Sequence, residues 1–106
     1  MPLLIVLSTF PDATAARAAA ETLVSERLAA CVNVLPGVES IYRWQGKVEA
    51  SQEVLALMKT PVERYPELEK RLRELHPYEV PEIVALPATA VSESYLAWVL
   101  ASTQPE

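Results

Sequence analysis

The sequence is poor in the residues that build the most recognisable functional sites. Among 106 residues it has one cysteine, one histidine and two glycines. A lone Cys31 excludes a disulfide within the chain, and one cysteine with one histidine cannot supply the four ligands of a zinc finger. Two separated glycines exclude a glycine-rich phosphate-binding loop. No standard disulfide, zinc or nucleotide motif is therefore expected within one chain.

Long hydrophobic runs and clusters of basic residues are also missing. The apolar run from Leu3 to Leu7 is far shorter than the roughly 20 residues of a membrane-spanning helix, and no Lys or Arg precedes it as in a signal peptide. Nine basic residues against fourteen acidic ones give a net charge of −5. Because the basic residues form no run, we expect neither nucleic acid nor a membrane surface as a partner. The expected location is the cytoplasm.

What the sequence does contain is typical of one folded domain. Hydrophobic residues make up 51% of the chain and charged residues 22%. This balance supplies enough apolar surface to offset the entropy of the chain. Since no linker or low-complexity segment divides residues 1–106, we interpret them as a single domain.

Hydrophobic patterning predicts the order β-α-β-β-α-β, followed by one more helix. The strands are predicted at Leu3–Thr9, Cys31–Trp44 with a bend at Pro36-Gly37, Lys47–Lys59 and Glu82–Leu86. The helices are predicted at Ala13–Leu28, after the capping box Thr60-Pro61-Val62-Glu63, and after Ser92. In the last helix Tyr95, Val99, Trp98 and Ser102 are predicted to face inward. This order predicts an α+β fold, a ferredoxin-like split β-α-β sandwich with helices on one face of an antiparallel sheet.

The second and third strands predict a hairpin that turns at Gln45-Gly46. It is long for a small domain, because strands usually have about 5–6 residues. Trp44 at its tip is difficult to bury within one chain. An exposed tryptophan on an overlong hairpin indicates an interface between subunits.

Three groups of residues could carry chemistry, and each also has a structural interpretation. His76 could bind a metal or carry a proton, or it could satisfy carbonyl groups at a helix end. Cys31 could bind copper or zinc, or pack as a small apolar side chain. Acidic residues on or near strands could line a cation-binding cleft between chains, or form a solvated face. The acidic residues are Glu39, Glu49, Glu53 and Glu82.

No local signature of a nucleophile paired with a base is present in the sequence. An anion-binding cradle of glycines and arginine is also missing. We therefore expect a protein that is not an enzyme and acts by binding.

Six segments, in order along the chain, carry a family resemblance. They are Glu26-Arg27-Leu28-Ala29-Ala30-Cys31-Val32-Asn33, Pro36-Gly37-Val38, Ser40-Ile41-Tyr42-Arg43-Trp44-Gln45-Gly46-Lys47, Lys59-Thr60, His76-Pro77-Tyr78-Glu79-Val80-Pro81-Glu82-Ile83 and Tyr95-Leu96-Ala97-Trp98-Val99. Together they resemble the CutA family, the divalent-cation tolerance proteins, from Leu3 to about Ser102. The resemblance implies a ferredoxin-like subunit in a tight homotrimer whose hairpins pair between neighbours. It also implies tolerance of divalent cations, with copper(II) as the cation most often assigned.

The resemblance also suggests which residues form a site. Some bacterial members have a cysteine on the first strand and a His-His pair, where this chain has Ser8 and Leu75-His76. A copper site here would therefore need replacement ligands, drawn from different subunits if necessary. The predicted metal ligands are His76, Cys31 and Glu82, and the predicted residues of the intersubunit cleft are Trp44, Tyr42, Tyr78 and Glu49.

Two alternatives remain open on the sequence. The trimer could be a signalling module that binds a small molecule, like the PII nitrogen-signalling proteins, which the family also resembles. It could instead be a structural scaffold that holds a protein partner.

Overall fold

Four strands form one antiparallel sheet in the computed structural model, which describes residues 2–105. Strand β1 spans Leu3–Phe10, β2 spans Cys31–Trp44, β3 spans Lys47–Pro61 and β4 spans Val84–Pro87. Their order across the sheet is β2-β3-β1-β4, and every neighbouring pair is antiparallel. The predicted α+β architecture is confirmed.

Helices α1 (Ala13–Ser25) and α2 (Tyr65–Leu75) cover one face of the sheet. Asp12 caps α1, since its side chain accepts a hydrogen bond from the Ala15 N–H at 2.8 Å. The alanine-rich face of α1 and the leucines of α2 bury the apolar side chains of the strands. The fully buried core includes Val6, Phe10, Ala16, Leu23, Met58, Leu68 and Leu72.

Helix α3 (Glu93–Ser102) lies on the other face of the sheet. Leu4 packs against the main core, whereas its neighbour Leu3 forms a second cluster with Val99 of α3. Because successive strand residues point to opposite faces, α3 and the other two helices are on opposite sides. Tyr95 and Trp98 were predicted to face the core, which is wrong for the single chain. They are 36% and 48% exposed, whereas Val99 is buried, which confirms its predicted position.

The predicted capping box at residues 60–63 is also wrong. Strand β3 continues to Pro61, and a short 3-10 turn, Val62–Arg64, precedes α2. The hydroxyl of Thr60 is buried and donates a 2.7 Å hydrogen bond to the Leu28 carbonyl. It therefore fastens β3 to the loop after α1 instead of capping a helix.

The hairpin of β2 and β3 extends well beyond the rest of the sheet. A register shift between Leu35 and Val38 marks a bulge at the predicted bend. Strand β1 ends at Phe10, which lies opposite Val54. Beyond that point none of the described residues forms another strand beside the hairpin, and residues 41–50 are all exposed. This projection lengthens the molecule to 44 × 27 × 22 Å.

Candidate functional site

His76 follows the last turn of α2 and is held by both of its ring nitrogens. It is 7% exposed. Nε2 lies 2.8 Å from the Thr9 carbonyl oxygen, and Nδ1 accepts a 3.1 Å hydrogen bond from the Tyr78 N–H. Because a carbonyl can only accept, Nε2 carries the proton and the ring is the neutral tautomer. The ring also stacks on Phe10, with centroids 4.3 Å apart.

Burial lowers the pKa of His76, although the Thr9 hydrogen bond and the Glu53 charge act in the opposite direction. The neutral ring is therefore favoured at pH 7. The side chain satisfies groups on β1 and on the following loop, not the last carbonyls of α2 as the structural interpretation supposed. To bind a metal directly, one ring nitrogen would have to give up its present hydrogen bond.

Tyr78 connects this histidine to the hairpin. Its hydroxyl donates a 2.5 Å hydrogen bond to Oε2 of Glu53 on β3. Burial raises the pKa of Tyr78 far above its usual value, and the Glu53 carboxylate adds to the effect. The phenol thus stays protonated and acts as a charge-assisted donor, which is the stronger class of hydrogen bond.

Tyr42 and Glu49, two further residues of the predicted cleft, lie opposite each other in the hairpin. The Tyr42 hydroxyl is 3.0 Å from the Ser51 hydroxyl, and Tyr42 is near enough to Tyr78 to affect its pKa. Trp44 lies two residues closer to the turn and is 52% exposed. The structure therefore brings Tyr42 and Tyr78 together and leaves Trp44 nearer the hairpin tip.

Cys31 occupies a different part of the sheet from His76. It begins β2 opposite Lys59, which in turn lies opposite Ile5 of β1. His76 bonds to Thr9, four residues farther along β1, which corresponds to about 13 Å at the usual rise per strand residue. The neighbour of Cys31 is Tyr95, whose pKa is raised by burial and then by the thiol.

Glu82, the third predicted ligand, is exposed in the segment before β4. Among residues 2–105, no three His, Cys, Asp or Glu side chains lie close enough together to hold a metal ion. The three predicted ligands are thus not gathered into a metal site within one chain.

Ser8 is buried on the face of β1 that α1 and α2 cover. It alternates with Val6 and Phe10 of the main core. Its Oγ has no hydrogen-bond partner within the described part of the chain. Ser8 is therefore a core position in this protein, and it leaves an unsatisfied hydroxyl there.

Sequence reasoning undervalued Glu53 and missed Thr9 and Phe10. Glu53 was one of four acidic candidates, and its alternation with Ser51 and Glu49 on one side of β3 was the available signal. Thr9 acts through its backbone carbonyl, so its residue type gives no indication of the contact. The stacking of Phe10 on His76 depends on tertiary structure that joins residues 66 positions apart.

Comparisons with known proteins agree with this fold and these motifs. The profile of the family described as "CutA1 divalent ion tolerance protein" matches residues 4–102. The "Divalent-cation tolerance protein CutA" of Thermus thermophilus is 52% identical over 99 residues, which cover 93% of this chain and 96% of that protein. The "Protein CutA, chloroplastic" of Arabidopsis thaliana is 41% identical over 98% of this chain and 57% of that protein.

A solved structure supports the same assignment. The crystal structure of CutA from Xylella fastidiosa has a TM-score of 0.96 and 40% identity, covering 98% of this chain and all of that one. The fold and the sequence motifs define a ferredoxin-like α+β protein of the divalent-ion tolerance class. The chain belongs to the CutA1 family. Within residues 2–105, no helix has the length and apolar character needed to cross a membrane.

Proposed function

We propose that this chain forms a cytoplasmic homotrimer that binds divalent cations, copper(II) first, in clefts between subunits. It acts by binding, not by turnover, and contributes to metal tolerance as a single-domain subunit. The family name supplies the link to divalent cations. The observation that supports assembly is the apolar surface that one chain leaves uncovered.

Part of this surface is the open face, the sheet face turned away from α1 and α2. Strand register aligns its side chains, which are Leu7, Leu35, Leu55, Leu57, Val84 and Leu86. Leu35, Val84 and Leu86 are 39%, 46% and 48% exposed. Contiguous exposed apolar surface of this kind is typical of a protein–protein interface.

The hairpin supplies the second part of the uncovered surface. Ile41 and Val48, each 69% exposed, lie on one of its faces, while Tyr42 and Trp44 lie on the other. Two apolar faces on one projecting hairpin favour its insertion between neighbouring subunits. Such insertion would also cover the strand edges, which are otherwise prone to uncontrolled pairing.

The proposed cation ligands come from more than one subunit. Cys31 and Glu82 are candidate direct ligands, and the carboxylates of Glu49 and Glu53 on the hairpin join them. Oxygen ligands occur at copper(II) sites, and a thiolate is a softer ligand that copper also binds. His76 belongs to the same site, with its role in holding Tyr78 argued below.

Two measurements test this proposal. Light scattering over a range of concentrations should give a mass near 35 kDa, three times the 11.7 kDa chain. Titration of metal-free protein with copper(II) against a competing chelator should show binding in fixed proportion to subunits. Cys31→Ser, Glu82→Gln and Glu53→Gln should each weaken that binding, whereas Glu21→Gln on the exposed side of α1 should not. A monomer, or weak binding that none of these variants changes, would contradict the proposal.

Trp44 favours one alternative function, a small-molecule signalling module. Its exposed ring near Tyr42 and Arg43 could stack on a ligand held between subunits. Tryptophan fluorescence titrated with nucleotides in a Trp98→Phe background tests this alternative. A flat response at millimolar nucleotide removes it.

The cytoplasmic location is tested separately, because the relative from Arabidopsis thaliana is named as chloroplastic. Cell fractionation with an antibody to the native protein should recover this chain in the cytoplasmic fraction. Recovery in another compartment would overturn the location and leave the binding proposal intact.

A further inference from the structure

We propose that His76 is a positioning residue and not a metal ligand. Its hydrogen bonds to Thr9 and Tyr78 place the Tyr78 hydroxyl on Glu53, and this fixes the angle at which the hairpin leaves the sheet. The inference deepens the proposed function and rests on it, since assembly and cation binding are both assigned to that hairpin.

The first step concerns the fixed orientation of the imidazole. One ring nitrogen donates to the Thr9 carbonyl and the other accepts from the Tyr78 N–H. Phe10 stacks on one side with an interplanar angle of 17°, and the Tyr78 ring lies 4.9 Å away. A ring with both nitrogens engaged has no free lone pair for a metal, but it is well suited to hold a backbone segment in place.

The second step concerns where Tyr78 acts. Phe10, the last residue of β1, lies opposite Val54. Glu53 is therefore the first residue of β3 beyond the edge of β1, and its partner Val38 is the first residue after the bulge in β2. The 2.5 Å bond from Tyr78 to Glu53 braces the hairpin at the point where support from β1 ends.

The third step is geometric. From Glu53 to the turn the hairpin runs for about seven residues, or about 23 Å at the usual strand rise. A rotation of about 10° at its base would displace the tip by about 4 Å by the same geometry. The groups of a functional site must be held within about 0.5 Å of the positions in which they bind or react. A brace at the base therefore has a large effect on what the tip contacts.

The test compares His76→Ala, His76→Asn and Tyr78→Phe with the wild-type protein. The Asn side chain can accept from the N–H two residues ahead, as in an Asx turn, so it keeps the bond to Tyr78. An amide oxygen is a poor replacement for imidazole at copper(II). The three readouts are copper affinity against a chelator, the trimer association constant, and hydrogen exchange in residues 36–54.

We expect His76→Ala and Tyr78→Phe to weaken copper affinity and association by roughly tenfold or more, the usual effect of losing a hydrogen bond to a charged group. Both variants should also speed hydrogen exchange at the hairpin base. His76→Asn should recover most of each loss. Tyr65→Phe is the matched control, because burial and a carboxylate, Glu69, also raise the pKa of Tyr65, but both residues lie within α2. It should leave all three readouts at wild-type values.

Two results would overturn the positioning role. Copper binding lost in both His76 variants but unchanged in Tyr78→Phe would make His76 a direct ligand. Lower melting temperatures with unchanged exchange at the hairpin base would make the contacts merely structural. A wild-type protein that neither assembles nor binds copper would refute the proposed function, and hairpin exchange in Tyr78→Phe would still decide the bracing proposal.

Discussion

Ser8 and His76 are both buried polar side chains, but only His76 has hydrogen-bond partners for its polar atoms. His76 uses both ring nitrogens in hydrogen bonds, whereas the Ser8 hydroxyl has no partner within the described residues. A buried polar group without a partner costs free energy, while a satisfied one contributes modestly to stability. Removing an unsatisfied hydroxyl, as at Ser8, and removing a satisfied one, as at Thr60, should therefore change stability in opposite directions.

Ser8→Ala should raise the free energy of unfolding by about 1 kcal/mol, because it removes an unsatisfied hydroxyl from the core. Thr60→Val should lower the free energy of unfolding by about 1–3 kcal/mol. The valine would leave the buried Leu28 carbonyl without the hydrogen bond that the Thr60 hydroxyl donates to it. Urea unfolding at one fixed protein concentration measures both values. A Ser8→Ala protein less stable than wild type would show that the hydroxyl has a partner in solution.

The stability of the fold should fall as the pH drops below about 6.5. Burial holds the pKa of folded His76 below its usual value of 6.5. Below pH 6.5 the unfolded state therefore takes up a proton before the folded state does, and this favours unfolding. The loss grows until the pH has passed the lower, folded pKa, where it levels off.

His76→Gln supplies the control for this pH dependence, because glutamine does not titrate. The melting temperatures of both proteins should be compared between pH 8 and pH 5. The difference between wild type and variant should be constant above pH 7 and shrink below pH 6.5. A difference independent of pH would mean that protonation of His76 is not linked to folding.

At the scale of elements, the hairpin turn depends on an unusual backbone conformation. Gln45 and Gly46 both have positive φ angles, 49° and 79°. Two-residue turns of this kind match the twist of the flanking strands and favour Asn-Gly. Apart from its two chain neighbours, none of residues 2–105 has a heavy atom within 4 Å of the position a Cβ would take at Gly46. The cost of a side chain there is therefore conformational and not steric.

Gly46→Ala should destabilise the hairpin by about 1 kcal/mol, because a residue with a Cβ atom is strained in the left-handed conformation and glycine is not. Gln45→Asn should have the opposite effect, since asparagine tolerates that region better than glutamine. Chemical unfolding at matched concentrations checks both changes. Equal stability of the two variants would mean that the turn adopts another conformation in solution.

The local hydrophobic pattern predicted most helices and strands, but it failed where contacts between distant residues determine what a side chain does. Alternation in β3 and the Gln45-Gly46 turn are properties of neighbouring residues, so the hairpin could be predicted. The function of Thr60 could not, because its partner Leu28 lies 32 residues away. The same holds for the candidate site. The motif that contains His76 and Tyr78 could be recognised in the sequence, but the hydrogen bond from Tyr78 to Glu53 could not be predicted.

At the scale of the whole molecule, the distribution of apolar surface supports the proposed assembly of several chains. Its sheet has one face covered by α1 and α2, while the other is covered by α3 only near Leu3 and Ala30. The exposed aromatic rings of α3 and the uncovered leucines of the open face would stay in water. In the proposed trimer, burial of this surface between subunits would add to the stability of the fold.

Leu86→Lys on the open face should therefore convert the proposed trimer into smaller species. Burying a leucine contributes about 1.5–3 kcal/mol, and a lysine in its place would have to be desolvated without a partner. Because symmetry repeats the change in every subunit, the association constant should fall by far more than tenfold.

Val24→Lys is the control, since Val24 is similarly exposed, 41% against 48%, but lies on α1. Light scattering should show a wild-type mass for Val24→Lys and a lower one for Leu86→Lys, with unchanged circular dichroism in both. If both variants kept the trimer mass, the open face would not be the interface, and the hairpin surface around Val48 would be the next to test.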